Sequence, residues 1–71
     1  MIYEPGTVVA INSAHGLISR VVVLDYGQAI AICRKEEYEA AQLQCRKPVS
    51  IGFHKRDIVK VIAPPDRRDD R

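Results

Sequence analysis

Short apolar runs rich in β-branched residues alternate with turn residues along most of the chain. Runs of four to eight such residues, bounded by Gly, Pro, Asn or Asp, are typical of β-strands, whereas a helix would show apolar positions every three or four residues. The pattern predicts five strands, at residues 7–11, 17–24, 28–33, 49–53 and 58–62.

The second and third predicted strands join in a tight hairpin. Residues 25–27 (Asp-Tyr-Gly) separate them, and a three-residue loop that ends in Gly suits a type I turn completed by a left-handed residue. In the third strand Ile30 and Ile32 face one way, and the small residues beside them face the other. Both faces are apolar, so we expect this strand to be covered on both sides, with a helix over the small face formed by Ala29, Ala31 and Cys33.

One segment predicts that helix. Residues 35–44 contain helix-favouring Glu, Ala, Gln and Leu without Gly or Pro. Tyr38, Ala41 and Cys45 recur at i, i+3 and i+7, which gives a narrow apolar stripe. Acidic residues precede basic ones along the segment, the order that complements the helix dipole, and Pro48 stops the helix.

The C-terminal third predicts two further strands and a tail. The apolar residues of 49–53 stand at odd positions, a half-buried pattern, and residues 54–57 form a tight polar connection. In the last strand Lys60 is expected to face solvent. The folded domain is predicted to cover residues 1–63, and the charged residues 64–71 after it are predicted to be disordered.

The order β-β-β-α-β-β in so short a chain favours one strongly bent, closed or nearly closed sheet with few exposed edges. The chain resembles a small SH3-like β-barrel in its opening residues 5–9, its hairpin at 25–27 and its ending at 53–61. The resemblance implies a mainly β fold, a five-stranded SH3-like antiparallel barrel with one short helix between the third and fourth strands. An open α+β sheet with the helix on one face is the alternative. The likeness is at the level of the fold and implies no function.

Length and composition indicate one small folded domain. The chain has 71 residues, of which 46% are hydrophobic and 28% charged. Its longest apolar run, residues 21–24, is far below the roughly 20 residues that span a bilayer, so no membrane association is predicted. The first residues lack the basic and apolar regions of a secretory signal, which makes a cytoplasmic location the expectation.

The cysteines and histidines give little support to a metal site or a disulfide framework. Cys33 and Cys45 are too few for the framework of a small secreted scaffold, and two reduced, mostly buried thiols are favoured over a bond between them. A metal site would need both cysteines together with His15 and His54, and these lack the close ligand pairs of structural zinc sites. We predict no metal and no cofactor.

Catalysis is equally poorly supported. The glycines are dispersed singly, which excludes a phosphate-binding Gly-rich loop. A Cys–His nucleophilic pair has no local support, and the acidic residues at 36, 37 and 39 are typical of a solvated face that stabilises the first turn of a helix. We therefore predict no catalytic residues and no enzymatic activity.

Binding is the function class that remains. Arg46, Lys47, Lys55 and Arg56 are candidates for contact with a phosphate backbone, although a net charge of +2 and a shortage of aromatic residues favour an ordinary mixed-charge surface. Tyr26, at the hairpin tip, is the aromatic residue most expected to be exposed and to anchor a partner.

We predict a non-enzymatic small interaction module that binds a protein partner or self-associates, because domains of this size often gain stability by oligomerising. The alternative is binding of an RNA or DNA backbone through the four basic residues. Grooves for proline-rich peptides are lined by several aromatic residues, and this chain contains no Trp and only three Tyr, which disfavours that ligand.

Overall fold

The computed structural model describes residues 2–65 and contains every predicted strand and the predicted helix. Element boundaries differ from the predicted ones by one or two residues. The elements are β1 (Val8–Ser13), β2 (Gly16–Asp25), β3 (Ala29–Cys33), α1 (Lys35–Leu43), β4 (Ile51–His54), a 3-10 turn (Lys55–Asp57) and β5 (Ile58–Ala63).

The five strands form one antiparallel sheet in the order β4-β3-β2-β1-β5. Strands β4 and β5 are the two edges, yet only the three residues of the 3-10 turn link them. Adjacent strands lie about 4.8 Å apart, so the edges of a flat sheet of this size would be about 19 Å apart. The link spans at most about 14 Å, so the sheet must curl.

The curled sheet is not closed, because β4 and β5 each pair with a single neighbour. A closed barrel is thus not formed, and the open α+β alternative describes the architecture. Irregularities in the ladders bend the sheet without closing it. One lies between Val22 and Leu24 where β2 pairs with β3, and two interrupt the pairing of β1 with β5.

The hairpin between β2 and β3 forms as predicted, but its loop is residues 26–28, so Gly27 lies in the middle of the loop and not at its end. Gly27 has a φ of +98°, in the left-handed region that favours glycine. The backbone N–H of Tyr26 donates to the carbonyl of Ala29 at 2.9 Å, and a carboxylate oxygen of Asp25 accepts from the N–H of Gly27 at 2.8 Å. The turn fixes the register of the two central strands.

The core lies on the face of the sheet that carries the larger β-branched side chains. Its fully buried members are Val9, Ile11, Val22, Ile30 and Ile32. Ile30 and its three successors are all buried, as expected, but Ala31 of the small face lines a groove with residues 47, 48 and 50, whereas the helix was expected to cover it. Helix α1 lies against β2 and buries Ala41. The other two residues of the predicted stripe are not fully buried. Tyr38 is half-buried, and Cys45 lies beyond the helix and is exposed.

Helix α1 ends in a Schellman motif, not at Pro48. The N–H of Arg46 donates to the carbonyl of Ala41 at 3.0 Å, and the N–H of Cys45 donates to the carbonyl of Gln42 at 3.3 Å. Cys45 occupies the position that usually carries Gly, with a φ of +54°. A side chain in the left-handed region costs about 1–2 kcal/mol relative to Gly.

Replacing Cys45 with Gly is expected to stabilise the protein by about 1 kcal/mol, because Gly adopts the left-handed backbone without steric cost. Urea denaturation followed by circular dichroism measures the change. Cys45→Ala is the matched control, since it also removes the thiol but keeps a Cβ, and its stability should stay close to wild type. A Gly variant no more stable than the Ala variant would contradict the expectation.

Two predictions for the C-terminal third need correction or fall outside the structure. The half-buried pattern of residues 49–53 is wrong, since Val49 and Ile51 are 75% and 63% exposed and Phe53 is only half-buried. β4 is an edge strand, and among residues 2–65 it pairs with β3 alone. Residues 66–71 of the predicted tail lie outside the described residues.

Within residues 2–65, no helix has the length and apolar character that crossing a membrane requires.

Candidate functional site

Large apolar side chains are exposed along both edges of the sheet. On β5, Val59, Val61 and Ile62 are each about half exposed, and at the other edge Val49 and Ile51 are more exposed still. Apolar side chains gathered at one place on a small protein mark an interaction surface more often than single ones do. The sheet edges are therefore the first places to look for a site.

The two edges differ in how well they are protected against pairing with another chain. Strand β5 carries the exposed Lys60, and its ladder with β1 is irregular at two points. A charged edge residue and a bulged ladder are both devices that block edge pairing. Strand β4 contains no Asp, Glu, Lys or Arg, and its ladder with β3 is regular from Ile51 to His54. Of the two, β4 is the edge that a further strand would extend.

A groove of about 400 Å³ lies beside β4, and we call it the arginine groove. Its apolar floor continues the core, because Ile51 pairs with Ile32, which pairs in turn with Val22. Two basic residues stand at its end. Val21 of β2 pairs with Cys33, the last residue of β3, and the next residue of each segment, Arg20 and Arg34, lines this groove. The groove is lined by Arg20, Ile32, Cys33, Arg34, Glu37, Val49 and Ile51.

Glu37, on α1, ties the helix to the segment that leads into β4. One of its carboxylate oxygens lies 2.6 Å from Nη1 of Arg46 and 2.8 Å from the backbone N of Val49. The hydrogen bond from Arg46 is the largest cause of a lowered pKa of Glu37, and the bond from Val49 adds to it. Glu37 therefore holds Arg46 in an internal ion pair. The hydrogen bond from the N–H of Val49 to the same carboxylate positions Val49 at the rim of the arginine groove.

Cys33 lines the same groove but is a poor nucleophile. Burial raises the pKa of its thiol, and the negative charge of Glu37 raises it further. Since the thiolate is the reactive form, a raised pKa keeps this side chain inert. Both Cys33 and Cys45 are free thiols.

A second groove, of about 360 Å³, lies on the opposite face of the sheet, between the β2–β3 hairpin and the residues that lead into β4, and we call it the tyrosine groove. Ala31 lines it while Ile32 lines the arginine groove, and successive residues of a strand point to opposite faces. It brings together Tyr26, which is 67% exposed, and Lys47. The lining residues are Val23, Leu24, Tyr26, Ala31, Lys47, Pro48 and Ser50.

The remaining two predicted basic residues lie at the 3-10 turn. Lys55 makes an ion pair with Asp25, with 2.8 Å between Nζ and Oδ2, and its side chain is only 17% exposed. Its Nζ also lies 5.5 Å from the ring centroid of Tyr3. Arg56 is exposed, and its backbone N–H donates to Nδ1 of His54 at 3.3 Å. Different carboxylates thus hold Arg46 and Lys55, and Tyr26 and Lys47 are the two predicted residues that share a groove.

Sequence reasoning did not predict a site at the arginine groove. One signal was present for Arg20, which shares the strand phase of Ile18 and Val22 and so points toward the apolar side. No local signal placed Arg34 beside it, because the pairing of β2 with β3 does that. Among residues 2–65 no group of three or more His, Cys, Asp or Glu side chains is arranged to hold a metal ion.

No protein-family model, curated protein or solved structure matches this chain.

Proposed function

We propose that this chain is a small non-enzymatic interaction module that binds an extended segment of another protein chain along β4. The observation that carries the proposal is the uncharged outer edge of β4, with exposed apolar side chains and a groove on each face. Peptides commonly dock by adding a strand to such an edge, where main-chain hydrogen bonds supply affinity and side-chain pockets supply specificity.

The two grooves suit an added strand because they lie on opposite faces of the sheet, and successive side chains of a strand also point to opposite faces. Side chains at i and i+2 of a bound segment would enter the arginine groove, and the side chain between them would enter the tyrosine groove. Tyr26 offers an exposed aromatic anchor in the second groove. The SH3-like resemblance is part of the proposal, supported by the strand order and by the 3-10 turn before β5.

A second copy of this chain and a foreign protein are both occupants that the edge would accept, and the experiment below separates them. Backbone binding of RNA or DNA has less support, because Arg46 and Lys55, two of its four proposed contacts, are engaged in ion pairs. The proposal places the module in the cytoplasm, where free thiols such as those of Cys33 and Cys45 stay reduced.

An amide-resolved titration with a neutral peptide, Ac-Val-Ser-Val-Ser-Gln-Ser-NH2, tests the proposal. We expect chemical-shift changes at residues 49–54 and not at 58–63, and none with the same peptide N-methylated at every inner residue, which cannot extend a sheet. Ile51→Lys should weaken binding about ten-fold by placing a charge on the edge, and Val59→Lys, the matched change on β5, should not.

Sedimentation velocity at two protein concentrations completes the test. A concentration-dependent dimer lost in Ile51→Lys would identify a second copy as the occupant. A monomer whose residues 49–54 show no response to the peptide would contradict the proposal.

A further inference from the structure

Arg20 and Arg34 are two like charges that line the same groove. Like charges brought into one groove repel each other. Among residues 2–65, the guanidinium of Arg20 donates only to the carbonyl of Ser19, at 2.7 Å, and that of Arg34 has no hydrogen bond or ion pair. The one carboxylate that lines the groove, that of Glu37, is occupied by Arg46 and the N–H of Val49. The groove therefore carries an uncompensated positive end.

We propose that Arg20 and Arg34 form a carboxylate subsite, so that the segment bound along β4 is an acidic one. The inference rests on the proposed function and names the chemistry of its partner: an extended protein segment with an Asp or Glu two residues from an aliphatic side chain. The carboxylate meets the two guanidiniums, which offer planar, bidentate hydrogen-bonding geometry. The aliphatic side chain packs on the floor beside it, against Ile32 and Ile51.

Charge complementarity favours a foreign segment over a second copy. Residues 51–54 of β4 contain no carboxylate, and the one charged side chain of residues 58–63 on β5 is that of Lys60. Neither edge strand of another copy would bring an anion to the arginines, and β5 would bring a further positive charge. An acidic segment from a different protein relieves the repulsion that self-pairing leaves in place.

Three peptides of equal length test the subsite: Ac-Val-Ser-Val-Ser-Glu-Ser-NH2 and its Gln and Lys versions at the fifth residue. We expect the Glu peptide to bind about five-fold more tightly than the Gln peptide at low salt, and the Lys peptide to bind least well. The preference for Glu over Gln should shrink as ionic strength rises, because salt screens exposed charges. All three are followed through the amides of residues 49–54.

Charge-removing variants assign the preference to the two arginines. Arg34→Gln and Arg20→Gln should each weaken the Glu peptide about five-fold and leave the Gln peptide unchanged. Arg56→Gln is the matched control, since it removes the same charge from another exposed site. Arg34 is fully outside the strands, so Arg34→Gln keeps the test decisive even where Arg20→Gln perturbs β2.

The outcomes separate the failure of the subsite from the failure of the proposed function. Equal binding of the Glu and Gln peptides at residues 49–54, or a Glu preference that survives both arginine variants, would overturn the subsite while β4 remains a docking edge. If no peptide changed the chemical shifts of those amides, both the subsite and the proposed function would be overturned. A hexauridylate probe that binds more tightly than the Glu peptide, and is lost with Arg34→Gln, would replace the acidic protein segment by a nucleic acid.

Discussion

Replacing Ile30 with Ala is expected to leave most of the protein unfolded at 37 °C. Ile30 is fully buried in β3, where it pairs with Asp25 on one side and Phe53 on the other. Truncating a buried Ile to Ala costs about 2–5 kcal/mol. A single core in a chain this short rarely supplies more than about 3–5 kcal/mol in total, so the loss is comparable to the whole stability. Far-ultraviolet circular dichroism and amide dispersion measure it.

Two further variants keep this expectation open to refutation. Ile30→Val removes one methyl group and should cost only about 0.5–1.5 kcal/mol, which leaves a folded protein whose urea midpoint can be measured. Ile62→Ala makes the same truncation as Ile30→Ala at a half-exposed position on β5 and should change stability much less. A urea midpoint of Ile30→Ala equal to that of Ile62→Ala would show that the core is not centred on Ile30.

Replacing Asp25 with Asn is expected to lower the melting temperature at neutral pH by at least about 5 °C, the scale on which lost interactions shift a domain of this size. Its carboxylate joins three separate parts of the chain. It accepts hydrogen bonds from the backbone N–H groups of Tyr3 and Gly27, each at 2.8 Å, and forms the ion pair with Lys55. The side chain is only 8% exposed, so Asn would replace a partly enclosed anion that the site is built to bind.

The same carboxylate makes stability depend on pH in the acid range. The hydrogen bond from Lys55, followed by those from Tyr3 and Gly27, lowers the pKa of Asp25 from its usual 3.8 to about 2. A group whose pKa is lower in the folded state stabilises the fold above its unfolded pKa, and that contribution is lost as pH falls through the folded pKa. Wild type should therefore lose its advantage over Asp25→Asn between about pH 4 and pH 2.

Thermal melts of both proteins from pH 7 to pH 2 test this dependence. The carboxylate of Glu37, whose pKa is also lowered, titrates in both proteins and cancels in the comparison. Asp57→Asn is the matched control, because it makes the same chemical change in the 3-10 turn. A constant difference between wild type and Asp25→Asn down to pH 2 would contradict the assignment.

Local signals were sufficient for the elements and for the core of the central strands. The hairpin at residues 25–27 and the alternation of Ile30 and Ile32 depend on turn geometry and on the two-residue strand period, both of which act between near neighbours. The same local reasoning was wrong for residues 49–53. Their alternation is that of a half-buried strand, but burial needs a covering layer, and position at the edge of the sheet removes it.

The candidate site was less accessible to sequence reasoning than the fold. Tyr26 was expected to be exposed because it sits at a hairpin tip, and it is. Arg46 and Lys55 were expected to be surface charges, yet each is paired with a carboxylate. Asp25 lies far from Lys55 in sequence, and Glu37 meets Arg46 only because the chain turns back after α1, so neither pair follows a helix or strand spacing.

The positions of the strands, the helix and the turns follow from the amino-acid sequence, because propensity, side-chain periodicity and glycine at a left-handed position are properties of a few adjacent residues. The open sheet, the uncharged edge at β4 and the meeting of Arg20 and Arg34 in one groove depend on the tertiary structure. These features arise from strand order and register, which bring together residues remote in the chain.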